Sequence, residues 1–437
     1  MNINQQVLRL SIPSILANIT IPLVGLVDTA IVGHLADAQA IGGIAIGTML
    51  FDLLYWNFGF LRVGTGGLTA QAFGQHNNKR CAKLLTQSLT IALTATIAIW
   101  LIQSLFVNAV LACVPTSQQV ANFAKQYFYL RIWAAPATLI LMTFKGWCIG
   151  MQDTISPMAT DILVNVVNIV ASYLLAVCSP LGTMGVAYGT LIAQYAGLIL
   201  AVIILLRKYK YVFAGLQLSQ LISDKQAFKQ LMTLNANLFV RSLCFMIVYV
   251  GFTTITAGYG DVNLSASNII MKLFMLFSYL IDGFAYAGEA LVGQFIGDKQ
   301  QRNQIKPTIR TLFLWSGTIA LCTTLLFATL APNIYQIMTS DQNVLIALQP
   351  LTPWLIAMPI VSALAFIWDG IYTGATAGTE IRNGIIFAAI AFIGGYAATY
   401  RWLGLNAVFL AYFLHLIVRV IYLTAKWNSV YDRETAK

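Results

Sequence analysis

Long apolar runs separated by short polar connections recur along this chain of 437 residues. A helix needs about 20 apolar residues to cross a bilayer. Runs of that kind are placed near 9–33, 41–69, 84–112, 119–147, 157–178 and 184–206. Six more follow near 232–258, 262–294, 308–331, 343–370, 382–400 and 404–426. The pattern predicts an all-α integral membrane protein with twelve transmembrane helices, an even number that returns both termini to one side. The longest polar connection, 207–231, divides the runs six and six, so an N-terminal lobe is expected over 1–206 and a C-terminal lobe over 232–437.

The halves echo each other. QAFG at 71–74, followed by polar QHNNKR, has a counterpart in QFIG at 294–297, followed by DKQQRN. FKGWCIG at 144–150 likewise matches WDGIYTG at 368–374. The two pairs share nearly one offset, close to half the chain, as expected of two six-span halves related by an axis along the membrane normal.

Composition agrees with lipid as the surrounding solvent. Hydrophobic residues make up 59% of the chain and charged residues 9%, against roughly a quarter charged in soluble domains. The net charge of +10 does not point to nucleic acid, because the basic residues sit in short connections between apolar runs. Lys79, Arg80 and Lys83 follow the second run, and Arg207, Lys208, Lys210, Lys225 and Lys229 follow the sixth. Lys299, Arg302, Lys306 and Arg310 follow the eighth, and Lys426, Arg433 and Lys437 the last. The opposite connections hold little beyond Lys125 and Arg401, so the positive-inside rule puts both termini in the cytoplasm. A multi-pass protein of a bacterial inner membrane is expected, working as a monomer among membrane lipids. The opening MNINQQVLRLSIPS lacks a basic leader and a small-residue cleavage site, and reads as the start of the first span.

The six cysteines are scattered without a CxxC pair, and the three histidines lack metal-ligand spacing. No disulfide framework, metal site or other cofactor is expected. GTGG at 64–67 lies inside a membrane run with no strand before it and no GK[ST] ending, and no nucleophile motif is visible. The chain is therefore not expected to be an enzyme.

A carboxylate at the centre of a membrane helix costs about 2.5–3.5 kcal/mol on insertion scales. Asp28, in GLVDTAIVGH at 25–34, therefore has to face protein or water. Desolvation disfavours the charged form, so such a group can take up a proton on one side of a conformational change and release it on the other. A helix-end aspartate dipping into the aqueous layer is the plainer alternative, because His34 and Asp37 follow closely. Asp282 and Glu289, seven apart in DGFAYAGEA, share one helical face and imply a cavity rather than lipid. Asp369 opens DGIYTGATAG, whose glycines let helices approach closely. Asp52, Arg62, Lys145, Arg241 and His415 also fall in apolar runs, while Asp161, Lys272 and Arg419 read as end residues that snorkel outward. Pro13 and Pro22 each free a carbonyl in the first run and permit a bend, and Pro22 shortly precedes Asp28.

GLVDTAIVGHL, TAQAFGQ, DGFAYAGEA and DGIYTGATAGTEIRN, in this order, resemble the MATE (multidrug and toxic compound extrusion) family, and most closely its DinF branch. The resemblance covers nearly the whole chain. It implies two pseudo-symmetric six-helix lobes around a central cavity, and export of cationic or amphipathic organic compounds in exchange for protons or sodium. By the same resemblance Asp28 stands where the family has an essential first-helix aspartate, and Pro13 where it has the proline of the helix bend. Asn168 and Thr190 match an asparagine and a threonine of the cation site in the N-lobe, where Ser172 replaces an aspartate common in the family. Asp369 matches an acidic residue of the tenth helix, but the glutamate of the seventh has no counterpart: RSLCFMIVY offers only Arg241. Lys145 aligns near the N-lobe site, where its ammonium is expected to approach Asp28 and supply the charge sodium would bring; a lysine snorkelling outward is the alternative.

The expectation is thus a proton-coupled antiporter in which protonation of Asp28 favours one packing of the first helix, bent near Pro13 to Pro22, and deprotonation the other. Loss of one carboxylate at Ser172 weakens a cage of hard oxygens, which leaves H+ rather than Na+ as the expected coupling ion. A cationic substrate could compete for the carboxylates of Asp28, Asp282, Glu289 and Asp369. The alternatives are a sodium-coupled exporter of the same family and a flippase of lipid-linked precursors, which would want a strongly cationic cavity.

Overall fold

A computed structural model of the chain describes residues 2–35, 38–114, 116–214 and 224–436. Asp37, residues 215–223 of the polar connection and the His34 side chain lie outside the described residues. Among the described residues the structure is helical, with no strand. Lipid demands this, since a backbone without water must satisfy its N–H and C=O groups internally. Twelve segments among the described residues are long and apolar enough to cross a membrane, from Ile3–Gly25 to Asn406–Ala436.

The helices of the first half are α1 (Ile3–Leu35), α2 (Ala38–Trp56), α3 (Phe60–Gly74), α4 (Asn78–Cys113), α5 (Gln118–Arg131), α6 (Ala135–Gly150), α7 (Ile155–Val177) and α8 (Met184–Lys208). Those of the second half are α9 (Lys225–Ala257), α10 (Asp261–Gly297), α11 (Ile305–Met338), α12 (Gln342–Leu348), α13 (Thr352–Gly374), α14 (Gly378–Leu403) and α15 (Asn406–Ala436). Three apolar runs are interrupted. A turn over 57–59 separates α2 from α3. A 3-10 turn, Ile132–Ala134, precedes Pro136 in the first turn of α6, and another, Gln349–Leu351, precedes Pro353 in the first turn of α13. Proline is tolerated there because a first-turn N–H has no helical partner to lose.

The chain divides into two compact units, Leu16–Leu231, and Met232–Lys437 together with Met1–Ile15. The first fifteen residues, expected in the N-terminal lobe, thus belong with the second half. The reason is steric. Gly283 of α10 has no side chain, and a Cβ there would lie 2.4 Å from Ile15 Cγ1 and 2.9 Å from the Ser11 carbonyl oxygen. α1 itself runs unbroken through Pro13 and Pro22.

Within the first unit α3 packs on α6, α7 on α8 and α2 on α5; within the second α10 packs on α13, α14 on α15 and α11 on α13. Lipid supplies no hydrophobic drive between helices, so close backbone approach decides which pairs form. A Cβ on Gly146 would lie 2.0 Å from the Arg62 carbonyl oxygen, and one on Gly370 would lie 2.1 Å from that of Ala285. α3, α6 and α13 also end alike, with His76, Gln152 and Thr376 at φ of 54°, 62° and 53°. Each left-handed residue lets the next amide reach back past a full helical turn: Asn77 N to Ala72 O, Asp153 N to Cys148 O, and Ala377 N to Tyr372 O, at 2.9–3.1 Å.

Candidate functional site

In the first unit, the long α7–α8 contact brings Asn168, Ser172 and Thr190 together. Gly189 sets its closeness, since a Cβ there would meet Ser172 Oγ at 2.4 Å. Asn168 Nδ2 donates to Thr190 Oγ1 at 2.9 Å, and that hydroxyl donates on to the Val186 carbonyl at 3.1 Å. Asp28, on α1, has the Ser172 hydroxyl beside its carboxylate. Asp28 Oδ1, Ser172 Oγ and Asn168 Oδ1 are all shielded from solvent with no partner in good hydrogen-bond geometry. A buried polar atom left so costs about 1–3 kcal/mol. Such a set of acceptors suits a proton or a small hard cation.

The positive charge facing Asp28 comes from Arg131, at the end of α5. Its Nη1 donates to Tyr127 Oη at 3.2 Å, and its guanidinium lies 4.6 Å from the centre of the Phe51 ring. It faces Asp52 of α2 as well. Sequence reasoning missed this residue; the available signal was a lone arginine inside the apolar run at 119–147. Lys145, expected at Asp28, instead forms a salt bridge with Asp161 at 2.8 Å. α6 and α7 are joined by the tight turn 151–154, which sets a position late in α6 opposite one early in α7. Asp161, read as a snorkelling end residue, is therefore an ion-pair partner. Pro13 lies in the part of α1 that belongs with the second unit.

In the second unit, Asp369 of α13 lies between two arginines. Arg241 Nη2 of α9 donates to its Oδ2 at 2.7 Å, and Arg419 Nε of α15 donates to its Oδ1 at 3.1 Å, with Arg419 Nη2 also against Oδ2. Arg419 does not snorkel: it is 2% exposed, with its guanidinium against the rings of Phe245 and Phe366. A carboxylate bonded this way is not open to a substrate cation. Glu289 is buried where Gly374 brings α13 to within Cβ-clash distance of its carbonyl, while Asp282, one face with it on α10, is half-buried. Lys272 is exposed. Among the described residues no group of three or more His, Cys, Asp or Glu could hold a metal ion.

Outside the membrane-spanning helices, Asp153 accepts from Lys208 Nζ at 2.7 Å, Tyr209 Oη at 2.6 Å and the Ser156 amide at 3.1 Å. Burial pushes its carboxyl up, but these bonds outweigh burial and hold it below the usual range.

A family model described as MatE matches residues 13–174 and 238–395 of the chain. DNA damage-inducible protein F of Escherichia coli (strain K12) is 32% identical over 424 residues, which cover 96% of this chain and 91% of that one. Multidrug and toxin extrusion protein 1 of Homo sapiens is 23% identical over 375 residues, covering 83% of this chain and 63% of that one. A crystal structure of MATE in complex with MaL6 aligns over 100% of this chain and 98% of its own at a TM-score of 0.90 and 16% identity, a likeness of fold.

Proposed function

This chain belongs to the MATE family, whose members are multi-pass membrane transporters and not enzymes, and from that premise we propose a proton-coupled antiporter exporting cationic or amphipathic organic compounds by alternating access. The human relative is named for multidrug and toxin extrusion, which supports that substrate class here. The bacterial relative supports an inner membrane, and the basic connections support cytoplasmic termini.

One observation supports the coupling: Asp28 Oδ1 and Asn168 Oδ1 are shielded acceptors without a hydrogen-bond partner, beside the equally shielded Ser172 hydroxyl. A proton on Asp28 supplies a donor and removes the carboxylate charge beside Arg131. Sodium fits less well. It wants several hard oxygens, and here it would have one carboxylate, with Thr190 already donating to Val186, in the field of a fixed guanidinium. A proton drives transport only by binding the two conformations unequally. α1 is suited to transmit that difference, because the division between the compact units falls at Ile15–Leu16, between Pro13 and Pro22, with Asp28 on one side of it.

The test is uptake of a fluorescent organic cation into proteoliposomes under a pH gradient or a sodium gradient. The pH gradient alone is expected to drive it, and Asp28→Asn to reduce it to background in a protein that still folds. Uptake surviving Asp28→Asn would remove Asp28 from the mechanism. Uptake driven by sodium alone would replace the coupling ion.

A further inference from the structure

We propose that the cavity between the first turns of α4 and α9 binds a phosphate group, carried by an anionic phospholipid headgroup or by a soluble phosphate ester. The cavity measures about 340 Å³, and its lining includes Lys79, Arg80 and Lys83 of α4 with Asp224 and Gln230 at the start of α9. All of these residues belong to the first unit. Three cations face one carboxylate there, which leaves the cavity with an excess of positive charge. Arg80 donates from Nη1 to Gln75 Oε1 at 3.1 Å and from Nη2 to Gln230 Oε1 at 3.3 Å. Both acceptors are neutral, so they orient the guanidinium without cancelling its charge. Lys83 Nζ is bonded to Asp224 Oδ2 at 3.0 Å. Lys79 is exposed and has no bonded partner among the described residues.

The frame around these charges is fixed before any ligand arrives. Asp224 Oδ1 accepts from the Ala227 amide at 3.1 Å and caps α9, while its carbonyl oxygen accepts from Gln87 Nε2 at 3.3 Å. Gln87 is 1% exposed, so this bond ties the start of α9 to the buried side of α4. Ammonium groups and an arginine fork are the donors that phosphate oxygens take. Two helix N-termini meet at the cavity, and their dipoles also favour negative charge. Both helices are long and apolar enough to cross a membrane, which places their basic first turns near the level of lipid headgroups. α9 continues past Leu231 into the second unit, so a phosphate bound here grips the first turns of a helix that both units share. The proposal does not depend on proton coupling at Asp28.

The experiment is calorimetric titration of the purified full-length protein, in an uncharged detergent, with glycerol 1-phosphate and with dihexanoyl phosphatidylglycerol. Glycerol and dihexanoyl phosphatidylcholine are the respective controls without net charge. At least one phosphate probe is expected to bind about tenfold or more tightly than its control. Binding of the lipid alone assigns the site to a headgroup, and binding of glycerol 1-phosphate assigns it to soluble esters as well. Arg80→Gln and Lys79→Gln should each weaken binding about tenfold, the loss of one charge-assisted hydrogen bond. Lys79 has no bond in the fold to lose, so its variant gives the second reading should Arg80→Gln not fold. Asp224→Asn keeps an oxygen to cap α9, removes the competing carboxylate and should tighten binding. Lys426→Gln removes an equal charge from an exposed position on α15 and should change nothing. The site is overturned if neither probe binds better than its control. It is equally overturned if Lys79→Gln and Lys426→Gln lose affinity alike, the mark of general surface charge. Because no gradient is involved, failure here leaves the coupling test untouched.

Discussion

Gly146 and Gly370 occupy equivalent places in the two repeats and make the same joint in the two units. Each brings a helix backbone onto a carbonyl oxygen, of Arg62 in one case and Ala285 in the other, at a distance that leaves no room for a Cβ. Gly150 and Gly374 repeat the joint one turn on, against Gly66 and Glu289. The positions beside these joints carry opposite chemistry. Lys145 precedes the first and pairs with Asp161; Asp369 precedes the second and pairs with Arg241 and Arg419. At the offset of the QAFG pair Asp28 corresponds to Gly251, and at that of the FKGWCIG pair, one residue longer, Asn168 corresponds to Phe392; a Cβ on Gly251 would lie 3.2 Å from the Phe392 ring. One helix junction holds a carboxylate and an amide, and its counterpart is apolar. Backbone sterics admit one residue type at a joint, whereas a neighbouring side chain can change without moving the helices. The two copies therefore keep one scaffold and divide the chemistry: an acid facing one arginine in the first unit, an acid bonded by two arginines in the second.

The largest effect should come from filling the joints. Leucine at Gly146 or at Gly370 forces backbones apart and is expected to cost about 3 kcal/mol or more in each unit. Thermal unfolding in detergent measures this, and a large loss at one position with none at the other would break the equivalence of the two joints. Asp28→Asn comes next, with loss of pH-driven uptake, and it has no counterpart because Gly251 has no proton to give.

Asp153 sharpens the comparison from outside the membrane. Its counterpart in the second repeat is Ala377, so the carboxylate that locks the turn after α6 is matched by an apolar side chain in the turn after α13. Asp153→Asn should cost about 1.5–3 kcal/mol at neutral pH, the range for hydrogen bonds to a charged group. Since the folded carboxyl lies below its unfolded value near 3.9, its contribution is complete above about pH 4 and fades as pH falls through the lower folded value. Melting temperatures of the two proteins should converge across that acid window. A constant gap down to pH 2 would show that the lock acts through shape and not charge.

The spans and the repeat were legible because both are written in composition and spacing: apolar length sets a membrane helix, and a glycine at a crossing cannot be exchanged. Asn168 and Thr190 came together as their resemblance implied. Ion pairing was not legible. Lys145 and Arg131 differ in sequence by little more than position in an apolar run, yet the turn between α6 and α7 hands Lys145 to Asp161, while the α5 end and the Phe51 ring hold Arg131 toward Asp28. Arg419 looked like a helix-end residue because depth cannot be read from a run without knowing what packs on it. The placement of residues 1–15 likewise hangs on Gly283, in the opposite half of the sequence.

The smallest expected effect tests the reassigned lysine. Lys145 and Asp161 side chains are 18% and 29% exposed, so their ion pair belongs with the weak class worth about 0–1 kcal/mol. Lys145→Ala should therefore lower the melting temperature slightly and leave the pH midpoint of transport where it is. Arg131→Gln should move that midpoint to higher pH, because protonation of Asp28 no longer opposes a neighbouring positive charge. Transport measured across pH for the two variants decides between the cations. A midpoint that follows Lys145 and ignores Arg131 would return the lysine to Asp28 and leave the guanidinium as a helix-packing group against Phe51.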